Sequence, residues 1–512
     1  MVEEGRNREK KLTLHRRWYE AHSLLGMWVL LPLFIMLACG TISFFRDSLK
    51  AWHTPAMQHL YQPSVDEKLS PEVEELIQSV PTDASFIAIY LPNEDVPITK
   101  VRHKINGKGY SSTGATSEGE IISSSQLDTK VVEHIYKWHY LEPLPGGRYV
   151  AGLIALIWLS LTINGFYLHR KKLFSQFNFR KKRKGGALQS WLHTITATLT
   201  FPFHFIYGVT GVIFNLSIVA LPVTMLIAFD GDRNAMMEQF TGVPSDPKPS
   251  GELVNKIPEL QPFIDQARLE LNQKNAKLKL ILIRAPFDQN GMLNIRFAGA
   301  DEYQAEVKFL HNESKDVIFV NQELKTSGIN KVLKPIFKLH FGDYSWFIKC
   351  IYVLMGVFLC LLTTAGARLY ISRKKSTFPR ATQFFERLFD GLGLGIFPAI
   401  AILALSNRLL PADLVNRGAV EIYIFQVVWV VIGLIFLIFG TSARRRQVIF
   451  YTALSGLFLI PWLDGLLYQN WLWGEKIWIV PNVGRANLVL LTLLPAVILL
   501  QLAYKKSRAR RP

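Results

Sequence analysis

Residues 14–45, LHRRWYEAHSLLGMWVLLPLFIMLACGTISFF, run from a basic patch through a histidine into a membrane-length apolar stretch that closes on Cys39-Gly40-Thr41. Residues 191–214, WLHTITATLTFPFHFIYGVTGVIF, repeat the design. His22 precedes Gly40 by 18 residues and His193 precedes Gly211 by the same 18, with Pro32 and Pro202 near the middle of each stretch. A second pair recurs at a spacing of 26, His139 before Gly165 and His340 before Gly366, followed by FYLHRKK and ARLYISRKK. The first three quarters of the chain therefore reads as one unit written twice, each copy with two histidines in register.

The chain has 512 residues, 49% hydrophobic and only 19% charged, which specifies a polytopic membrane protein with sizeable soluble inserts rather than a soluble enzyme. Its net charge of +18 sits beside the apolar runs, as topology signals do. The expected partner is the lipid bilayer, not nucleic acid. Cys39, Cys350 and Cys360 form no CxxC pair and lie in or beside apolar stretches, so neither a disulfide framework nor a thiolate metal cluster is supported.

A spanning helix needs roughly 20 apolar residues. Eight stretches meet this: about 22–45, 148–169, 203–228, 346–371, 388–409, 420–441, 448–469 and 485–504. With eight helices, the basic clusters at 6–17, 170–184, 373–375, 444–446 and 505–511 all fall on one face, which places both termini in the cytoplasm. The expected fold is an all-α polytopic membrane protein with a duplicated four-helix core and two small α+β inserts on the outer, periplasmic face. The first repeat is 1–190 with its insert at 46–145. The second is 191–375 with its insert at 230–338, and 376–512 forms a C-terminal four-helix membrane domain. Each insert reads as a helix followed by strands, PEVEELIQSV before ASFIAIYLP and ELQPFIDQARLELNQ before LKLILIRAP. The Gly/Ser-rich 104–120 reads as a mobile loop. Gly391-Leu392-Gly393-Leu394-Gly395 lies inside an apolar span with no strand before it, so it reads as helix packing, and Asp464 is an intramembrane carboxylate.

The chemistry is concentrated in the histidines. His15, His22, His169 and His193 stand at the inner boundary, and His134, His139 and His340 at the outer one. His204 follows His193 by 11 residues, about three helical turns, and faces the same way. Single boundary histidines snorkel or bond lipid headgroups, but four repeated in register across two copies point to ligands. Neutral imidazole binds metals and haem iron, and a helical bundle is a usual host for a cofactor. Related by an axis along the membrane normal, the copies set His22 opposite His193 and His139 opposite His340, each pair able to hold one planar cofactor. Two histidines per level do not complete a tetrahedral zinc site. HExxH, GxSxG and P-loop patterns are absent.

On these residues the sequence resembles the PepSY-associated transmembrane (PepSY-TM) family of bacterial inner-membrane proteins. The matching features are His22 with Gly26 and Gly40-Thr41, His139 followed by Gly165 to the His169-Arg-Lys run, Trp191-Leu-His193 with Thr210-Gly211, and Leu339-His340-Phe-Gly-Asp343. The resemblance covers about 12–375. The family includes iron-regulated proteins and ferric-siderophore reductases that carry b-type haems in a four-helix core. The resemblance implies haem b in this core; taken with the spacing, it makes His22 with His193 and His139 with His340 the expected ligand pairs of two haems, with His169 and His204 as the substitutes if one assignment fails.

The functional expectation is an inner-membrane haem b electron-transfer protein that takes electrons from a separate donor and reduces a ferric, siderophore-type complex outside. The rival readings are a non-redox membrane protein that binds or regulates a periplasmic partner, and a transporter, which the apolar core midplane (only His204 and Asn215 are polar there) argues against.

Overall fold

The computed structural model describes residues 2–58, 69–93, 96–105, 109–116, 119–170, 177, 184–241, 243–272, 277–298, 304–310, 316–321, 328–474 and 484–488. Among them six helices are long and apolar enough to cross a membrane, and seven if one bent pair counts as a single span. The last of the eight expected spans, about 485–504, lies almost wholly outside the described residues.

The first span is α1 (Val2–Ser43). Its apolar residues Leu30, Phe34 and Ala38 are buried against the C-terminal helices, and Val29, Leu33 and Leu37 against the other helices of the repeat. That is why the stretch is apolar all round: it is the central helix, with protein on both sides. Two short helices at one end follow, α2 (Arg46–His53) and α3 (Val131–His139), the second of which packs on α1. Then come α4 (Gly147–His169), α5 (Gly185–Leu199) and α6 (Phe201–Ala228). The second copy closes with α7 (Gly328–Phe341) and α8 (Trp346–Lys374).

Helix α4 packs on α6, α5 on α8, and α1 on both α4 and α8. Small residues permit the close approaches. A Cβ on Gly356 would stand 2.9 Å from Thr41 Cγ2, and one on Gly208 would stand 3.1 Å from Leu159 Cβ.

One expectation fails at Pro202. The span expected at 203–228 is preceded by α5, and α5 meets α6 at a bend of 71°. Pro32 sits inside an unbroken α1, whereas Pro202 is the second residue of α6, just after the N-cap Thr200, whose φ of −96° and ψ of 9° are no longer helical. Proline supplies no amide donor to the turn before it, and here the chain takes the break.

The C-terminal module is α9 (Pro379–Leu388), a π-helical turn (Phe389–Leu394), α10 (Ile396–Leu409), α11 (Arg417–Ile438) and α12 (Ser442–Tyr468). The Gly391–Gly395 run is a packing device, as expected: a Cβ on Gly391 would stand 3.0 Å from the Gly433 Cα of α11.

The two inserts were expected as separate α+β domains. They form one antiparallel sheet of eight strands, ordered β4-β3-β2-β1-β5-β6-β7-β8. The first insert supplies β1 (Ala84–Tyr90), β2 (Thr99–Ile105), β3 (Gly109–Ala115) and β4 (Ile121–Ile122). The second supplies β5 (Lys277–Arg284), β6 (Met292–Ala298), β7 (Gln304–Leu310) and β8 (Val317–Asn321). The halves join where β1 pairs with β5, Ile87 opposite Ile283. Burial explains the merger. Each insert alone is a few strands and a helix, too small for a core, whereas together they bury Val73, Ile77, Ile87, Phe263, Ile281, Ile283, Ile295 and Phe309 in one cluster. The Gly/Ser-rich segment is largely not a loop: β2 and β3 run through it as a hairpin, Ile105 opposite Gly109.

Ile87→Ala is expected to cost about 2–5 kcal/mol. Amide exchange should then rise in the 277–298 strands of the second insert as well as in β1 and β2. Faster exchange confined to the first insert would mean the two halves are independent.

Candidate functional site

The duplicated unit brings the predicted histidines together in pairs. The rings of His22 on α1 and His193 on α5 have centres 6.3 Å apart, inclined at 82°. Those of His139, the last residue of α3, and His340 on α7 are 5.9 Å apart, inclined at 46°. The second pair lies at the sheet-bearing end, where His139 packs on Gly40. His22 is 18 residues earlier on the same helix, about 27 Å along its axis and near the other edge of a bilayer core.

Glycines make room for three of the rings. A Cβ on Gly40 would run into His139, 2.6 Å from its Cε1. One on Gly366 would stand 3.2 Å from both Cε1 and Nδ1 of His193, and one on Gly165 would touch His22 Cε1 at 3.4 Å. Gly165 and Gly366 are equivalent in the two copies, which is why the 26-residue spacing recurs.

The hydrogen bonds also set tautomers. His139 Nδ1 donates to Met36 O at 2.8 Å, and His193 Nδ1 donates to Leu362 O at 3.1 Å. Thr210 Oγ1 gives its proton to Ile206 O, so at 2.6 Å from His340 Nδ1 it is the acceptor. In all three the proton is on Nδ1 and the lone pair on Nε2, the arrangement that a carbonyl or hydroxyl behind a metal-ligating histidine enforces. His22 Nδ1 is buried without a hydrogen-bond partner among the described residues. Burial pushes His340 down to about 3, and His139 beside it acts in the same direction. Burial also lowers His139, against its bond to Met36, which raises it. Both are therefore neutral at neutral pH, the form that can ligate a metal ion.

The two substitutes are placed differently. His204 accepts from Trp158 Nε1 at 3.1 Å on Nδ1. Its Nε2 lies 2.8 Å from Thr200 Oγ1, a hydroxyl whose proton goes to Thr196 O, so Nε2 donates. Both ring nitrogens are committed within the protein. His169 is exposed at the end of α4.

Two neutral imidazoles at each level are a donor set that could hold one metal-bearing cofactor. Two imidazoles that bind one ion from opposite sides, through bonds of about 2 Å, hold their ring centres about 6 Å apart. Both pairs stand at that spacing. Among the described residues no group of three or more His, Cys, Asp or Glu gathers as a metal site.

Sequence reading missed two buried polar clusters that tie the C-terminal module to the repeats. At the sheet-bearing end, Arg408, wholly buried, donates to Asp464 at 3.0 Å, to Trp52 O at 3.0 Å and to His53 Nδ1 at 2.9 Å. Its neighbour Asn407 donates to Glu421 at 2.7 Å, and Glu421 also pairs with Arg417. The second cluster centres on buried Asp390 of the π-helical turn, which pairs with Arg445 at 2.9 Å and with Arg368 of α8. The available signal was charge inside apolar runs, which is retained only where it is paired or functional. Asp464 alone was singled out, and its partner is Arg408.

Among the described residues, six to seven apolar spans, helices with paired histidines at two depths and a shared sheet at one end define a multi-pass membrane protein. The chain belongs to the PepSY-associated TM region family, whose model matches residues 19–373. It is similar to the uncharacterised protein PA4219 of Pseudomonas aeruginosa, 21% identical over an alignment of 345 positions that covers 62% of this chain and 84% of that one. The family match ends before α9, so the C-terminal module lies outside it.

Proposed function

We propose that this protein is a haem b electron-transfer protein of the bacterial inner membrane that reduces a ferric, siderophore-type complex on the sheet-bearing, periplasmic face. The observation that carries the reading is the pair of histidine gaps, 6.3 Å and 5.9 Å between ring centres. His22 with His193 would hold one haem and His139 with His340 the other, and haem b supplies a one-electron couple when bound. The chain's own contribution is to present Nε2 lone pairs on rings fixed from behind by Met36, Leu362 and Thr210, and to wall the second pair with Tyr207 and Phe214. Hard-oxygen chelators hold Fe(II) more weakly than Fe(III), so one electron per iron releases the metal. The Lys and Arg clusters support cytoplasmic termini, which puts the sheet outside.

The test uses the full chain in sealed vesicles with a reductant trapped inside and a ferric chelate outside, read by an Fe(II)-specific dye. Wild-type protein should produce Fe(II) outside, and His22→Ala and His340→Ala should each abolish it, because both levels lie on one route. Undiminished Fe(II) in either variant would overturn the reading. Gly40→Ala should lower haem retention at the sheet-side pair by displacing the His139 ring. Gly26→Ala, where a Cβ meets nothing within 4 Å, should not. Equal loss in the two variants would remove the cradle argument.

A further inference from the structure

Helices α3 and α11 run side by side in the same direction, and each lacks a side-chain cap of its own. They cap each other. Glu421 of α11 accepts from Lys130 N, at the start of α3, at 2.9 Å and from Thr129 Oγ1 at 3.1 Å. Asp128, just before α3, accepts from Gly418 N, in the first turn of α11, at 2.9 Å. Each carboxylate therefore sits at the positive end of the neighbouring helix and takes up an amide that would otherwise be an orphan.

From the caps onward two stripes face each other at helical spacing. His134 meets Phe425 with ring centres 5.4 Å apart, and Trp138 meets Trp429 at 4.7 Å. Positions 130, 134 and 138 thus oppose 421, 425 and 429, one face of each helix. Both indoles are pinned: Trp138 Nε1 donates to His134 Nε2 at 3.1 Å, and Trp429 Nε1 donates to Leu392 O of the π-helical turn at 2.9 Å. The residue after Trp138 is His139.

We infer that the C-terminal module serves the sheet-side histidine pair as a positioning frame, in which Glu421 and Asp128 fix α3 along its axis and Phe425 and Trp429 fix its rotation, so that His139 meets both Met36 O and His340. This rests on the proposed role of His139 as a ligand. It assigns the module work beyond filling the membrane. α3 has only nine residues, too few to be helical by itself, so the placement of its last side chain is supplied by what it packs on. Glu421, Phe425 and Trp429 touch neither ring of the pair and act through α3.

The test compares Glu421→Gln, Asp128→Asn and Trp429→Leu with wild type in the purified full chain, by amide exchange over 131–139 and by the visible and electron paramagnetic resonance spectra of each haem. Exchange over 131–139 should become roughly tenfold faster in Glu421→Gln while α5 and α8 keep their protection. The spectrum assigned to His139 and His340 should broaden or be lost, with that of His22 and His193 unchanged. Trp429→Phe, which keeps an aromatic ring at the position, should restore most of what Trp429→Leu loses. Glu421 is fully buried, so if its variant does not fold, Asp128→Asn and Trp429→Leu decide. Unchanged exchange over 131–139 in those two, or equal loss at both haems, would overturn the inference. Wild-type protein that binds no haem would overturn the proposed function instead, and the exchange data would still decide whether α11 holds α3.

Discussion

Alanine at His139 is expected to leave the purified protein with one haem b per chain in place of two. Its ring lies against Gly40, donates to Met36 O and faces His340 with centres 5.9 Å apart. His340→Ala should have the same effect. The double variant should lose no more than either single one, because both rings serve one site and such effects do not add. Combining His139→Ala with His22→Ala should leave none. His204→Ala should keep both haems, since its two ring nitrogens are engaged by Trp158 and Thr200. Haem per chain by pyridine haemochrome, against protein by amino-acid analysis, checks all of these. A His139→Ala protein that keeps two haems, or loses both, would contradict the pairing.

The second large effect is on folding. Asp464→Leu should destabilise the protein by about 3–5 kcal/mol, the usual cost of leaving a buried charge without its partner. Arg408 would keep Trp52 O, Asn407 Oδ1 and His53 Nδ1, which are all neutral acceptors. His53 cannot share the charge: burial first, and then the nearby Arg408, hold its imidazole well below its ordinary value. The double variant Arg408→Met, Asp464→Leu should recover much of the loss, because it removes the desolvated pair as a unit. Melting of the detergent-solubilised protein, followed by tryptophan fluorescence, measures both. A single variant as stable as wild type would mean that the cluster is wetter than its burial implies.

Much of the site was legible because a duplicated helical unit turns sequence spacing into depth. Equal separations of 18 and of 26 residues put His22 level with His193 and His139 level with His340, and the recurring Gly165 and Gly366 mark where the rings need space. The family match to 19–373 agrees with the resemblance read over about 12–375.

What sequence reading missed depends on partners far away in the chain. β1 pairs with β5 across nearly two hundred residues, and no local pattern in either insert announces that its free edge will meet the other's. Glu421 and Asp128 are ordinary carboxylates in the sequence, and only the alignment of α3 with α11 makes them caps. Pro32 and Pro202 look equivalent, yet one is absorbed within a helix and the other stands in the first turn of one.

The most direct test of the central claim is a reduced-minus-oxidised visible spectrum of the detergent-purified protein, with haem quantified from the same sample. Two haems b per chain, with low-spin absorption bands that sharpen on reduction, is the predicted result. Colourless protein from cells grown with ample iron and haem precursor would contradict the account and leave the histidine pairs as structural contacts.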